Sequence, residues 1–467
     1  MKRSLLTSYV AGIIDTNNGE SYWTLARYFF PEFITSFILF AVPFLLDANF
    51  ISHLKSTPAY ATQGLTNNLL HLIFKIAEGI SIGTVIVGGH LNGQGRLGEI
   101  GKVVRDAFWT TVILGGFIAV MLYFGAPYIY YWLGAAPEVL VLATPFLQLR
   151  ALGIFFTFVY LAFIGFLRSI KNTRTPMEIY LIGAIAFIFF DYALIFGKFG
   201  LPALGLKGSA VSSVIQSVVM LITCMVFIFS DERYRPYGIS LFKPNGDSSY
   251  IKQLLYTSWP VVADKSILAI AYIWLSKMMC PKGLCVTATF CAVKDIERLA
   301  FLPAIAFAQV VTIIVSNEFG KRDWQGIKST IKKCVFLASV MVFAILLFFV
   351  IFSDRTIQMF DKTGDFKPLA KQVFPILSVL VFFDLLQLIL SGALRGANNV
   401  KTVMYVRLAV CFGYFVPVSY VLAQLDIADP ALQFLMIYGS FYVGNALMSV
   451  VYIMRFRSER WKSEQAT

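Results

Sequence analysis

The sequence is poor in charged residues, which make up only 14% of the chain, whereas hydrophobic residues make up 58%. Soluble globular domains carry about 25% charged residues, so this balance excludes that class. The sequence also lacks the strict alternation of polar and apolar residues that is typical of membrane barrel strands. Backbone groups in lipid must be satisfied within their own segment, so we expect its long apolar stretches to be membrane-spanning helices.

Cysteine and histidine are scarce, with six and three residues. No spacing of Cys, His and carboxylates suggests a metal site, and no nucleophile–base pair or phosphate-binding loop suggests an enzyme. We expect Cys280 and Cys285, which share one loop, to be free thiols; a disulfide bond between them is the alternative. The first 26 residues lack the pattern of a cleaved signal peptide.

Twelve apolar stretches are long enough to cross a bilayer as helices. They cover about residues 29–53, 63–91, 107–131, 140–167, 177–197, 208–230, 253–276, 286–317, 334–353, 370–394, 403–424 and 431–454. The net charge is +13, and most Lys and Arg residues lie at the termini and in the even-numbered loops. By the positive-inside rule this predicts a protein of the cytoplasmic membrane with both termini in the cytoplasm. Membrane topology therefore explains the positive net charge, and we expect no nucleic-acid partner.

One sequence cassette occurs twice, at 165–177 and at 392–404. The matched pairs are Gly165/Gly392, Leu167/Leu394, Arg168/Arg395, Asn172/Asn399, Thr175/Thr402 and Met177/Met404. We call the constant spacing between the two copies, from Gly165 to Gly392, the repeat offset. A second cassette, at 91–93 and 318–320, keeps the same offset. This pattern indicates an internal duplication.

The duplication predicts an all-α polytopic membrane protein of two six-helix lobes. We expect an N-lobe over 1–230, a cytoplasmic linker over 231–252 and a C-lobe over 253–467. Six is an even number, so both halves insert with the same orientation. The lobes should therefore be related by a pseudo-twofold axis along the membrane normal, with a cavity between them.

Charged residues inside the apolar stretches point to that cavity, because facing lipid would cost each about 2.5–3.5 kcal/mol. The candidates lie in the second, seventh and eighth stretches: Asn68, His71, Lys75, Glu78, Asp264, Lys265, Lys294, Asp295, Glu297 and Arg298. Those of the second stretch follow helical spacing and form one stripe. The alternative is a set of internal ion pairs: Lys75 with Glu78, and Lys294 with Glu297 or Arg298 with Asp295.

Three lone acidic residues, Asp47, Asp191 and Asp384, lie deep in apolar stretches. A carboxylate withdrawn from water can bind and release a proton, and with oxygen neighbours it can hold Na⁺. Either behaviour lets an ion gradient drive a conformational change. We expect these residues to couple transport to H⁺ or Na⁺; the alternative is a structural, hydrogen-bonded Asp.

A series of short motifs runs along nearly the whole chain: Pro31 before Asp47, Gly79-Ile-Ser-Ile-Gly83, Asn92-Gly93, Arg168, Thr173-Arg-Thr-Pro-Met177, Gly197, Gly205, Gly208, Gln309, Gly320, Asp384-Leu-Leu-Gln387 and Ser391-Gly-Ala-Leu-Arg-Gly396. In their order and spacing these motifs resemble the multidrug and toxic compound extrusion (MATE) family of the oligosaccharide/lipid flippase superfamily. The resemblance implies an antiporter that expels organic solutes in exchange for Na⁺ or H⁺. Asp47 and Asp191 match the acidic pair of the family's N-lobe, and Ser209 falls near its small hydroxyl ligand.

Two departures from the family pattern concern the ion sites: the first favours H⁺ over Na⁺ in the N-lobe, and the second removes an ion-site residue of the family from the C-lobe. Phe187 stands where the family often has Asn, and Leu268 where many members have Glu. The basic groups of the stripes favour a small organic substrate with an anionic or zwitterionic part. We expect a monomer without a cofactor other than the coupling ion. A flippase for an anionic lipid-linked precursor is the alternative function, and a major-facilitator protein is a more distant one.

Overall fold

The computed structural model describes residues 18–41, 50–51, 53–54, 56–132, 137–242, 249–358, 360–361, 364–425 and 427–462. Asp47 lies outside these ranges. Within them the regular elements are helices, and ten of these helices are long and apolar enough to cross a membrane. The prediction of an all-α polytopic membrane protein is confirmed.

Six long helices form the first half of the chain. They are α1 (Tyr22–Ala41), α2 (Thr57–Gly93), α3 (Leu97–Trp132), α4 (Pro137–Ser169), α5 (Arg174–Phe196) and α6 (Leu206–Ser230). A short 3₁₀ helix, Glu232–Tyr237, follows α6. Each long helix overlaps one of the first six predicted stretches.

The second half contains nine α-helices in the described residues, because two of the predicted spans are interrupted and the short helix Ser353–Gln358 is added. They are α7 (Ile251–Met279), α8 (Leu284–Ala300), α9 (Leu302–Lys321), α10 (Trp324–Ile351), α11 (Ser353–Gln358), α12 (Lys367–Gly396), α13 (Val400–Val410), α14 (Val416–Gln424) and α15 (Pro430–Arg457). The eighth span breaks at Phe301, just before Pro303, which has no N–H to donate. The eleventh span contains a π-helical turn, Cys411–Phe415, directly before Pro417.

The chain divides into two compact units. The first unit is Phe30–Val262, and the second unit is Met1–Phe29 together with Ala263–Thr467. In the first unit α4 packs against α2, α3 and α6, and α5 packs against α6. In the second unit α12 packs against α9, α10 and α15. The boundaries between the two units fall inside α1 and inside α7, whereas the duplication predicts a single boundary at the linker. The predicted lobe boundaries stay a prediction.

The linker between α6 and α7 is fastened to α3 in the first unit. Trp109 Nε1 donates to the carbonyl oxygen of Leu241 at 2.9 Å, and the Tyr250 N–H donates to Asp106 Oδ2 at 2.7 Å. The Tyr250 hydroxyl donates to Glu99. Burial, followed by this hydrogen bond, raises the pKa of Tyr250 to about 12, so Tyr250 remains a donor at physiological pH.

Because the linker lies close to α3, alanine substitutions at two glycines of that helix should affect stability differently. A methyl group on Gly101 would overlap the carbonyl oxygens of Tyr237 and Gly238, whereas Gly98 has no such neighbour within 4 Å. We expect Gly101→Ala to destabilise the protein by about 1–3 kcal/mol through overpacking. Gly98→Ala should be neutral or stabilising by up to about 1 kcal/mol. Thermal unfolding in detergent measures both, and equal shifts in Tm would contradict this packing.

Each half ends in an aromatic residue that an asparagine of the duplicated cassette holds. Asn172 Nδ2 donates to the Tyr234 hydroxyl at 2.8 Å, and Asn399 Nδ2 donates to the Trp461 carbonyl oxygen at 3.1 Å. Tyr234 lies in the 3₁₀ helix after α6, and Trp461 lies in a second 3₁₀ helix, Arg460–Lys462, after α15. Tyr234 and Trp461 are themselves related by the repeat offset. The duplication therefore extends to the residues that follow the last helix of each half.

Candidate substrate and ion-coupling sites

The predicted stripe on α2 lies on its accessible face. Asn68 and His71 are exposed, and Lys75 and Glu78 are partly exposed. Lys75 Nζ lies 3.0 Å from Glu78 Oε2, which is the internal ion pair foreseen as the alternative. The pair retains access to solvent, since about a quarter of each side chain is exposed. A charged pair on an open face of a membrane helix fits a wet cavity better than lipid.

The predicted stripe on α8 is split between an accessible face and the protein interior. Lys294 and Asp295 are partly exposed and Arg298 is exposed, whereas Glu297 is buried. Lys294 Nζ lies 5.5 Å from the centre of the Phe290 ring. Glu297 accepts a hydrogen bond from the Tyr438 hydroxyl on α15 at 2.6 Å, so Lys294 and Glu297, one of the ion pairs considered as the alternative, each have other contacts. Three of the four side chains are thus accessible to a solute.

Asp384, on α12, lies within the second unit and is partly buried. Asn445 Nδ2 on α15 donates to Asp384 Oδ1 at 3.1 Å. An amide donor stabilises the ionised carboxylate without neutralising it. This arrangement is compatible both with ion coupling and with the structural alternative.

Asp264 is at the centre of a buried ion triad. Arg395 Nη2 donates to Asp264 Oδ2 at 2.6 Å, and Arg407 Nε donates to Asp264 Oδ1. All three side chains are less than a tenth exposed. The sequence predicts that Asp264 and Lys265 both line the substrate cavity, which is wrong for Asp264. The structure buries Asp264 and leaves Lys265 partly exposed, because successive helical residues point about 100° apart.

A corresponding pair joins α1 and α4 in the first unit. Arg168 and Glu32 form two parallel hydrogen bonds, Nε to Oε1 at 2.8 Å and Nη2 to Oε2 at 2.7 Å. Arg168 and Arg395 are the repeated arginines, so each half neutralises its cassette arginine with an acid from its first helix.

Neither pairing was predicted from the sequence: Glu32 was not a candidate residue, and Asp264 was expected to line the substrate cavity. The repeat offset matches Glu32 to Trp259, which precedes Asp264 on the same helix by more than one turn. Neither acid is therefore matched by an acid in the other half. A repeated arginine next to a membrane helix is the signal that an acidic partner must exist.

Asp191 and Ser209 occupy the packed region of α5 and α6. Both side chains are fully buried. A methyl group on Gly208 would overlap the Leu194 carbonyl group, so glycine allows the two helices to approach closely at this level. Phe187, one turn before Asp191, is buried beside Ala184, Ile38 and Ile188. The Phe187 side chain is therefore part of an apolar cluster and offers no oxygen atom at this position.

Other chemistry has little support in the described part of the chain. It contains no group of three or more His, Cys, Asp or Glu that could hold a metal ion. Cys280 and Cys285 are exposed free thiols. The accessible charges of α2 and α8, buried Asp191 of α5 and partly buried Asp384 of α12 stay the predicted solute and ion residues.

A model of the MatE family matches residues 33–193 and 260–421. The chain belongs to the MATE family. The two matches begin at Phe33 and Pro260, which are related by the repeat offset of the duplicated cassette. Members of the MATE family are transporters, so this chain is a membrane transporter and not an enzyme.

Several MATE relatives match most of this chain. A probable multidrug resistance protein NorM of Bacillus cereus is 25% identical over 401 residues, covering 85% of this chain and 87% of the relative. The probable NorM of Thermotoga maritima is 23% identical, covering 81% of each chain. A probable multidrug resistance protein of Bacillus subtilis, YoeA, is 22% identical over 99% of both chains.

Solved MATE structures share the fold of this chain. An outward-facing MATE transporter has a TM-score of 0.84 at 18% identity, covering 93% of this chain and 95% of that one. A superfamily transporter from Pyrococcus furiosus, described as having a binding pocket of reversed polarity, also has a TM-score of 0.84 with the same coverage and identity. The twelve-helix, two-lobe MATE fold is thereby confirmed.

Proposed function

We propose that this MATE transporter is a secondary active antiporter that exports small organic solutes in exchange for H⁺. The observation that carries the proposal is the separation of two kinds of charge. The buried acid of α5, Asp191, and the partly buried acid of α12, Asp384, suit an ion, whereas accessible charges on α2 and α8 suit a solute. The names of the NorM relatives as multidrug resistance proteins support export of organic solutes.

The accessible charges favour a substrate with an anionic or zwitterionic part. Lys75, Lys294 and Arg298 are basic, and Asp295 is the acid that shares the accessible face of α8. A cationic solute would meet repulsion from these groups, since charges near a protein surface interact over several ångströms. The reversed pocket polarity named for the Pyrococcus furiosus structure is a precedent on the same fold.

The excess of Lys and Arg at the termini and even-numbered loops supports placement in the cytoplasmic membrane with both termini in the cytoplasm. In that orientation a proton gradient directed inward drives solute outward. We propose a monomer as the working unit, because one chain supplies every candidate group: Asp191 of the first unit, Asp384 of the second, and the accessible charges.

Flux into proteoliposomes tests this proposal. An imposed pH gradient should drive the movement of anionic or zwitterionic fluorescent solutes, and a Na⁺ gradient should drive much less. Lys75→Gln should raise the half-saturating concentration of the anionic solute about three- to tenfold, equivalent to about 1 kcal/mol. Lys328→Gln is the control, because Lys328 is exposed and pairs with Glu459 at the surface.

The outcomes distinguish the rival functions. Flux driven only by Na⁺ would change the coupling ion, and flux of cations alone would contradict the proposed substrate class. Inhibition by an anionic lipid-linked precursor, together with no flux of any soluble solute, would replace the antiporter by a flippase.

A further inference from the structure

A small pocket of the second unit opens directly on the buried ion triad. Its polar lining is Arg407 of α13 and Asn445 of α15. Its apolar lining comes from α7, the π-helical turn and its neighbour, and α15: Leu268, Val410, Cys411, Phe415, Phe441 and Met448. A guanidinium group and an amide in an otherwise apolar pocket are the few convergent polar groups that a binding site needs.

The charges around this pocket are unequal. Asp264 is the one carboxylate that forms ion pairs with Arg395 and Arg407 in the described part of the second unit, so two positive charges share one negative charge. Arg407 uses Nε for Asp264, and a guanidinium group carries five N–H donors in all. Burying an unbalanced charge is costly, so such a cluster attracts a further negative group.

Asp384 is the protein's own candidate for that group. It interacts electrostatically with Arg407 and is held by Asn445, which also lines the pocket. When Asp384 is ionised, the two arginines Arg395 and Arg407 and the two acids Asp264 and Asp384 carry no net charge together. When Asp384 is neutral, they carry one positive charge, which Arg407 presents to the pocket.

The backbone next to the pocket is locally irregular. The π-helical turn Cys411–Phe415 interrupts the eleventh span, and two of its residues line the pocket. In a π-helical turn the backbone hydrogen bonds span five residues rather than four, and such turns are frequent at functional sites. The turn places Cys411 at the pocket wall, where its thiol can report on what enters.

We propose that this pocket binds one compact monoanionic group, held by Arg407 and in competition with the charge of Asp384. The group is either a free monovalent anion or the carboxylate or sulfonate of a larger solute. The site goes beyond the proposed exchange of solute for H⁺, because it lies in the second unit alone and its occupation requires no transport.

Charge-selective labelling of Cys411 tests the site in the full-length protein. The other cysteines, Cys224, Cys280, Cys285, Cys291 and Cys334, are replaced by Ser. The rate of reaction with a negatively charged methanethiosulfonate (ethylsulfonate) is then compared with that of a positively charged one (ethyltrimethylammonium). A variant that keeps only the exposed Cys285 supplies the reference ratio. We expect Cys411 to favour the anionic reagent about tenfold or more over this reference.

Two variants should move this preference in opposite directions. Arg407→Gln should reduce it to the reference value, and Asp384→Asn should increase it, because the competing negative charge is removed. Arg407→Lys keeps the charge and should keep most of the preference, so it serves if the Gln variant does not fold. An unchanged preference in Asp384→Asn, a preference for the cationic reagent, or no labelling of Cys411 by either reagent would each overturn the proposal.

Protection from labelling identifies the source of the anion. Chloride or acetate at constant ionic strength should slow the reaction if the site takes free anions. Protection by benzoate or decanoate, without protection by chloride or acetate, assigns the site to the head group of an apolar solute. Protection by none of these anions would contradict the proposal even where the solute flux test succeeds, so the two proposals fail separately.

Discussion

Replacing Asp191 by Asn is expected to abolish gradient-driven transport while leaving the protein folded. The side chain is completely buried in α5, and Asn has nearly the same shape as Asp. An amide can neither bind and release a proton near neutral pH nor supply the charge that holds Na⁺. Proteoliposome flux under an imposed pH gradient should fall to the level of empty liposomes, with Tm in detergent close to that of the unmodified protein.

Ser209→Ala is the matched control for the identity of the ion. Ser209 is also fully buried, at the start of α6. A hydroxyl group can ligate Na⁺ but does not bind and release a proton near neutral pH. We expect Ser209→Ala to retain most of the pH-driven flux. Unaltered flux in Asp191→Asn would eliminate Asp191 as the coupling residue, and a large fall in Tm would assign it the structural role instead.

Replacing Asp264 by Asn is expected to cause the largest loss of stability, about 3–5 kcal/mol. Asp264 neutralises two arginines that are themselves buried, so its loss leaves two positive charges without their carboxylate. Removing one partner of a buried ion pair is far more costly than removing the whole pair. A lower Tm in detergent and a lower yield of folded protein measure this effect.

Glu78→Gln provides the comparison, because Lys75 and Glu78 form a partly exposed pair on α2. Its loss should cost only about 0–1 kcal/mol. Combining Asp264→Asn with Arg407→Gln should recover part of the stability, since one unpaired charge disappears. Equal destabilisation by Asp264→Asn and Glu78→Gln, or no recovery in the double variant, would contradict the account of the triad.

Much of the fold could be predicted from the sequence because hydropathy and duplication are both visible there. The apolar stretches located the long helices, and the repeat offset recurs in the starts of α3 and α10, at Leu97 and Trp324. The breaks in the eighth and eleventh spans were not predicted. Both occur at prolines, Pro303 and Pro417, and a proline in a membrane helix is compatible with a continuous kinked helix as well as with a break.

The pairing of charges could not be predicted, because it depends on side-chain direction and on partners distant in sequence. The α2 stripe was placed on one accessible face from spacing alone, since four residues at helical intervals share a face whatever surrounds them. On α8, the Glu297 side chain is buried and accepts a hydrogen bond from the Tyr438 hydroxyl. The spacing of the charged residues on α8 does not predict this partner. The ion pair of Arg407 with Asp264 was not predicted, because the repeat gives no hint of it: the equivalent of Arg407 in the first half is Tyr180, which carries no charge.

The aromatic residues that close the two halves, Tyr234 and Trp461, have a consequence for the ancestry of the chain. Each follows the last long helix of its half and is held by the same asparagine of the repeat. A single-copy ancestor therefore already possessed this closing element just after its sixth helix. In the present chain Tyr234 lies at the start of the linker, so this first part of the linker belongs to the repeated unit.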